Sequence, residues 1–157
     1  MENYSQNQGL KSREVALEVF SEVTNGTTTF DEAIALNLTF SKLDVKDRAF
    51  VHLLVNVTLR HHGQLDIFVN SYLKHALPKR AKLIKNILQL GAAQLLFLES
   101  PPHAVVNTAV LMCRRFPGQK GLVNAILRKI SLSSLARFNK IDIRFNTPRW
   151  LWENWLK

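Results

Sequence analysis

Between Leu83 and Leu98 the chain is apolar except at Lys85, Asn86, Gln89, Gly91 and Gln94, and this stretch limits the fold more than any other. Helical spacing puts Lys79, Lys82, Lys85, Asn86 and Gln89 on one side of its first half, with Ile84, Ile87, Leu88 and Gly91 on the other. After Leu90 the helix is apolar nearly all round, and such a helix is stable only when other helices surround it. The run is shorter than the ~20 apolar residues a membrane span requires, so the covering must be protein. Gly91 costs ~1 kcal/mol relative to alanine inside a helix, which marks it as a notch where a neighbouring helix comes close.

The rest of the sequence supplies those neighbours. Val15, Ala16, Val19, Phe20 and Val23 make one amphipathic helix, begun by Ser12 and stopped at Asn25-Gly26. Thr29 and Glu32 have the spacing of a capping box and open a short second helix through Phe30, Ala33 and Ile34. Asp44 is placed to cap a third helix reaching about Arg60, with Phe50, Leu53, Leu54 and Val57 on its apolar face. A fourth is predicted from Gln64 to Lys74, and Pro78 is expected at the first turn of the long fifth. Ser100-Pro101-Pro102 ends that helix and starts a sixth, which Phe116-Pro117-Gly118 separates from a seventh. The seventh carries two stripes: Leu122, Val123, Ile126, Leu127 and Ile130 inward, and Lys120, Asn124 and Arg128 at i, i+4, i+8 outward. Residues 132–138 add a last short helix. With no β-alternating run of useful length, the class is all-α with about seven to eight helices.

Residues 1–10 read as a flexible polar arm without the basic-then-apolar pattern of a signal peptide, so a cytoplasmic protein with no membrane partner is expected. The lone Cys113 can form no internal disulfide, which fits a reducing compartment.

Charge is divided sharply. Residues 1–73 hold 6 Lys/Arg against 9 Asp/Glu, whereas residues 74–157 hold 15 against 3, within a formal net charge of +9. A basic half of this kind points to a polyanionic partner, and nucleic acid is the commonest.

Catalytic or metal chemistry has little to rest on. Cys113 lies among Val110, Leu111 and Met112 on a helix and reads as a buried structural thiol. His61 and His62 are adjacent, hence ~100° apart on a helix, and cannot easily share a metal. Asp44 and Asp47 have ordinary cap and dipole roles. The Gly118–Gly121 stretch is too short and too lysine-poor for a phosphate-binding loop.

Four segments in order carry a resemblance: Asp47–Arg60, Leu88–Phe97, His103–Val110 and Leu122–Arg128. Together they look like the NusB-like helical domain, over about residues 11–138. The resemblance implies a helical bundle of two small subdomains forming one RNA-binding module. Two branches compete. One is the free-standing NusB type, an antitermination factor that binds leader RNA with a ribosomal protein. The other is the NusB-like N-terminal domain of bacterial 16S rRNA cytosine-C5 methyltransferases of the Sun/Fmu type. The segment Thr147-Pro148-Arg149-Trp150-Leu151-Trp152, followed by Trp155, is similar to the junction into the catalytic part of the second group, as is Arg128. Gln89 and Ala93 depart from the family, which often has arginine and tyrosine there.

The second branch is the expectation: an RNA-binding domain that positions ribosomal RNA and does not itself catalyse. S-adenosylmethionine then belongs to the absent methyltransferase part, with no cofactor or metal in this chain. Lys11, Arg13, Lys79, Arg80, Lys82, Lys85, Lys120, Arg128 and Lys129 are the candidate RNA contacts. Lys79, Lys82 and Lys85 are expected to form one exposed row. Residues 139–157 are expected to be a linker and the start of the methyltransferase part, only borrowing order from this domain. Trp150, Leu151 and Trp155, after a Thr147 cap, would form its interdomain face. A protein-docking module without RNA is the third reading.

Overall fold

The computed structural model describes residues 2–156, with side chains from Gly9 onward. Among these residues there are ten α-helices and no strand: α1 Glu2–Thr24, α2 Phe30–Leu36, α3 Leu38–Ser41, α4 Val45–Arg60, α5 His62–Asn70, α6 Lys82–Phe97, α7 Pro102–Met112, α8 Lys120–Ser131, α9 Leu135–Phe138 and α10 Arg149–Trp155. The all-α bundle is as expected, with eight helices of seven residues or more. None is long and apolar enough to cross a membrane.

Helix α6 is the axis. It packs on α1, α4 and α5 to one side and on α7 and α8 to the other, so the two helical groups share a continuous core. Everything from Asn86 to Gln94 on α6 is buried. The notch at Gly91 is real: a Cβ there would lie 2.8 and 2.9 Å from the two methyl carbons of Leu127 on α8, a side chain that is itself fully buried. Local signals placed three helix starts closely. Thr29 and Glu32 form the reciprocal capping box of α2, the Asp44 carboxylate accepts from the Asp47 amide at 2.8 Å to open α4, and Pro102 occupies the first turn of α7.

Several boundaries differ from expectation. Helix α1 begins at Glu2, so the segment expected as a polar arm forms its first turns. Ser12 is no cap: it is buried inside the helix, its hydroxyl donating to the Gly9 carbonyl at 3.2 Å. Helix α5 stops at Asn70, where Ser71 Oγ donates to the Phe68 carbonyl at 2.6 Å and Tyr72 turns off to bond Ser133. Pro78 has an extended ψ of 154°, so Lys79–Ala81 form a 3₁₀ turn and α6 starts only at Lys82. Glu99, at φ 49°, takes the left-handed conformation just after α6.

The largest difference is in the tail. Residues 139–147 pack into the domain. Ile141 rests on the core, and Ile143–Asn146 form a 3₁₀ turn against α5. Buried Gln64 binds this segment through three hydrogen bonds: its amide N–H donates to Asn146 Oδ1 at 2.8 Å, its Nε2 to the Ile141 carbonyl at 2.7 Å, and its Oε1 accepts from Asn146 Nδ2 at 2.7 Å. Gly63 makes the approach possible, because a Cβ there would sit 1.7 Å from the Phe145 carbonyl oxygen. The break in packing therefore falls near Thr147, not after Phe138. Helix α10, beyond it, has no buried residue. Its start is set by Pro148, and Thr147 makes no side-chain cap.

Candidate nucleic-acid interface

The nine basic candidates separate into three environments. Lys79, Lys82 and Lys85 are brought together around one cleft of about 470 Å³ between the end of α1, the start of α5 and the start of α6. They are not equivalent. Lys79 is exposed on the 3₁₀ turn, beside exposed Arg80. Lys82 is exposed too, yet its Nζ donates to the Thr24 carbonyl at 3.2 Å and to Asn25 Oδ1 at 2.7 Å, a cation placed on the C-terminal carbonyls of α1. Lys85 is half-buried and bridges Asp66 at 2.5 Å. The expected row is thus graded, with charge most available at Lys79 and least at Lys85.

His62 lines the same cleft, its ring edge-on to Phe20 with centroids 5.7 Å apart. Desolvation pushes its imidazole below the ordinary histidine value, Asp66 opposes this, and Lys85 and Lys82 reinforce it. At neutral pH the positive charge of the cleft therefore comes from its lysines. His61 points elsewhere. It links α4 to α5 and stacks on Phe97 with ring centroids 4.4 Å apart, so the two histidines do not converge. No cluster of potential metal ligands occurs among the described residues.

On α8, Arg128 and Lys129 are exposed in the last turn, while Lys120 is half-buried at its start, and Val123, Ile126, Leu127 and Ile130 face the core. The inward stripe read from the sequence is present, whereas of the outward one only Arg128 is exposed and Lys120 and Asn124 are half-buried. A basic last turn suits the negative end of the helix and keeps the cations at the surface.

Helix α1 contributes less than expected. Lys11 is exposed, but Arg13 turns inward. Its Nε donates to buried Gln94 Oε1 at 2.7 Å, its Nη1 donates to the Gly9 carbonyl at 2.9 Å, and its guanidinium lies 4.9 Å from the Phe50 ring centre. Desolvation lowers its pKa against the opposing pull of Asp47. Arg13 is a clasp joining α1 to α6, not a free contact. Farther along, Glu14, Glu18 and Glu22 line a groove opposite Arg114 and Arg115, with Arg114 paired to Glu14. The groove is of mixed charge, with two arginines facing the three glutamates of α1. Sequence reasoning missed that groove, although the i, i+4, i+8 spacing of the glutamates signals a shared face.

Cys113 is fully buried, its Sγ donating to the Ala109 carbonyl at 3.3 Å, and burial raises its thiol pKa despite Lys120 nearby. Such a thiol is inert as a nucleophile. Alkylation of Cys113 in the native protein should run at least ~100-fold slower than in denaturant, as for a group reached only through an opening of ~3 kcal/mol or more. Equal rates by thiol quantitation would show that the side chain is accessible.

The aromatic tail presents a second kind of surface. Trp150 and Trp155 are each 64% exposed, and Leu151 is half-buried. Trp155 pairs edge-on with Trp152 at 5.8 Å, so the partner of Trp155 within α10 lies one turn back, at i−3. Leu156 adds to this uncovered apolar end.

Comparison with known proteins places this arrangement. The NusB family profile matches residues 10–132. Ribosomal RNA small subunit methyltransferase B of Shigella boydii serotype 18 (strain CDC 3083-94 / BS512) is 31% identical over 115 residues, which is 70% of this chain and 27% of that protein. The proteins of the same name from Escherichia coli O1:K1 / APEC and Escherichia coli O9:H4 (strain HS) match with the same identity and coverage. The chain thus spans about a quarter of the length of these relatives. With its central α6 and a family match across most of its length, the chain belongs to the NusB family.

Proposed function

We propose that this chain binds small-subunit ribosomal RNA and positions it for a cytosine-C5 methyltransferase part that docks on α10. The observation that carries this reading is the coexistence of two open surfaces on one bundle. Lys79, Arg80 and Lys82 suit a polyanion, and the exposed Trp150 and Trp155 of α10 suit a protein partner. The names of the relatives supply the RNA and the reaction class. In this reading the partner part brings the reactive cysteine and S-adenosylmethionine, because Cys113 is sealed in the core. The role of this chain is binding and orientation, in which a fixed RNA geometry lowers the barrier that the catalytic part must overcome.

Binding to a small-subunit rRNA fragment, titrated against salt, tests the proposal. Each lysine that neutralises a phosphate of a single strand contributes ~0.7 to the slope of log K against log salt. Replacing Lys79 and Lys82 by alanine should therefore lower the slope by about 1.4. Lys85→Ala should add little, since its charge is already met by Asp66. An unchanged slope would remove this cleft from the interface.

The family match also supports a free-standing antitermination role. The same titration with a leader RNA, alone and with a ribosomal protein, separates the two. Tighter binding of the leader RNA only when the ribosomal protein is present would favour that second role. Binding of neither RNA would leave a protein-docking module.

A further inference from the structure

The floor of the basic cleft holds a polar group with nothing to bind. Gln89 is 99% buried on α6 and lines the cleft, its Nε2 donating to Asp66 Oδ1 at 3.1 Å, while its Oε1 has no hydrogen-bond partner. The orientation of the amide is fixed by chemistry. Asp66 is already the acceptor for Lys85 at 2.5 Å, and rotating the amide would set its oxygen against that carboxylate. The orphan must be the carbonyl oxygen, and a buried unsatisfied acceptor is costly unless a ligand donor meets it.

We propose that this cleft is a subsite for one unstacked RNA base bearing an exocyclic amino group, read by Gln89. The inference rests on the RNA-binding role proposed above and specifies where and how one nucleotide is held. Leu77 and Pro78 form an apolar wall, Lys79 and Lys82 stand at the rim, and Gln89 lies at the bottom. Apolar walls suit the faces of a base, rim cations suit its flanking phosphates, and the buried acceptor suits an amino N–H. The volume of about 470 Å³ lies in the ordinary range for small-ligand sites. Cytosine N4 and adenine N6 donate where Gln89 accepts; uracil presents its O4 acceptor instead and leaves two oxygens opposed. The polar floor has a second consequence. Gln89 is held by Asp66, and Asp66 by Lys85, so the least available lysine of the row orients the reading group without touching RNA.

The test compares oligocytidylate, oligouridylate and an oligomer of N4,N4-dimethylcytidine, all of equal length at neutral pH, by fluorescence anisotropy with the intact 157-residue protein. Leaving the Gln89 oxygen unpaired should weaken oligouridylate and the dimethylated oligomer by ~10-fold relative to oligocytidylate. Gln89→Met, nearly isosteric but without the carbonyl acceptor, should erase this preference and bring the three oligomers to equal affinity, with a melting curve confirming its fold. The dimethylated oligomer makes the same comparison on the unaltered protein, so the outcome does not depend on the variant folding. Equal affinity for all three oligomers, or a preference that survives Gln89→Met in a folded protein, would overturn the subsite and leave general RNA binding in place. Failure of every oligomer and of the rRNA fragment to bind would overturn the RNA-binding role itself, and the subsite with it.

Discussion

Removal of residues 139–157 is expected to lower the melting temperature by roughly 10 °C, whereas removal of residues 148–157 should change it by no more than ~2 °C. The longer truncation takes away the three hydrogen bonds of Gln64 and the packing of Ile141. At ~1 kcal/mol per hydrogen bond and ~1–2 kcal/mol for a half-buried isoleucine, the loss is about 4 kcal/mol. The shorter truncation removes a helix with no buried residue and should also improve solubility, because Trp150, Trp155 and Leu156 go with it. Gly63 provides the cross-check. In the full chain Gly63→Ala drives a methyl group into the Phe145 carbonyl and should destabilise about as much as losing the segment. In the chain truncated after Phe138 the same substitution should be neutral or stabilising by up to ~1 kcal/mol, since alanine is the better helix former. Additive effects in this cycle, measured by thermal denaturation, would mean that the tail does not rest on Gly63.

Gly91→Leu is expected to destabilise the protein by ~3 kcal/mol or more, the upper end for overpacking a core. Even the first added carbon would lie within 3 Å of both Leu127 methyls, and Leu127 is walled in on all sides. The consequence reaches function through geometry: α6 carries the lysine cleft and α8 carries Arg128 and Lys129, and the notch sets the distance between them. A second substitution, Leu127→Ala, should recover part of the loss. The double variant would then be more stable than the sum of the single effects predicts. A gain in stability for Gly91→Leu alone would show that the site borders open space.

These two sites show where the sequence was informative and where it was silent. The notch was legible because glycine in an apolar helix is anomalous on local grounds, and the helix starts at Thr29, Asp44 and Pro102 were legible because caps act within one turn. Pro78 misled because proline favours a first helical turn without dictating ψ. The docking of the tail had no local trace. Gln64 and Asn146 are 82 positions apart, and neither is unusual in its own segment. Arg13 is the same case: it reads as a surface cation until the fold brings Gln94 alongside it. The cleft was half legible. Lys79, Lys82, Lys85 and Gln89 share a helical side in the sequence, but Asp66, which neutralises one of them and orients another, comes from α5.

Ultraviolet crosslinking of the intact protein to a small-subunit rRNA fragment, followed by mass-spectrometric mapping of the modified peptides, tests the central claim most directly. The predicted result is crosslinks concentrated in the segment from Leu77 to Lys85 and at the end of α8 around Arg128 and Lys129, all declining as salt is raised. Crosslinks confined to the face of α1 that carries Glu14, Glu18 and Glu22, or none above background at low salt, would contradict it.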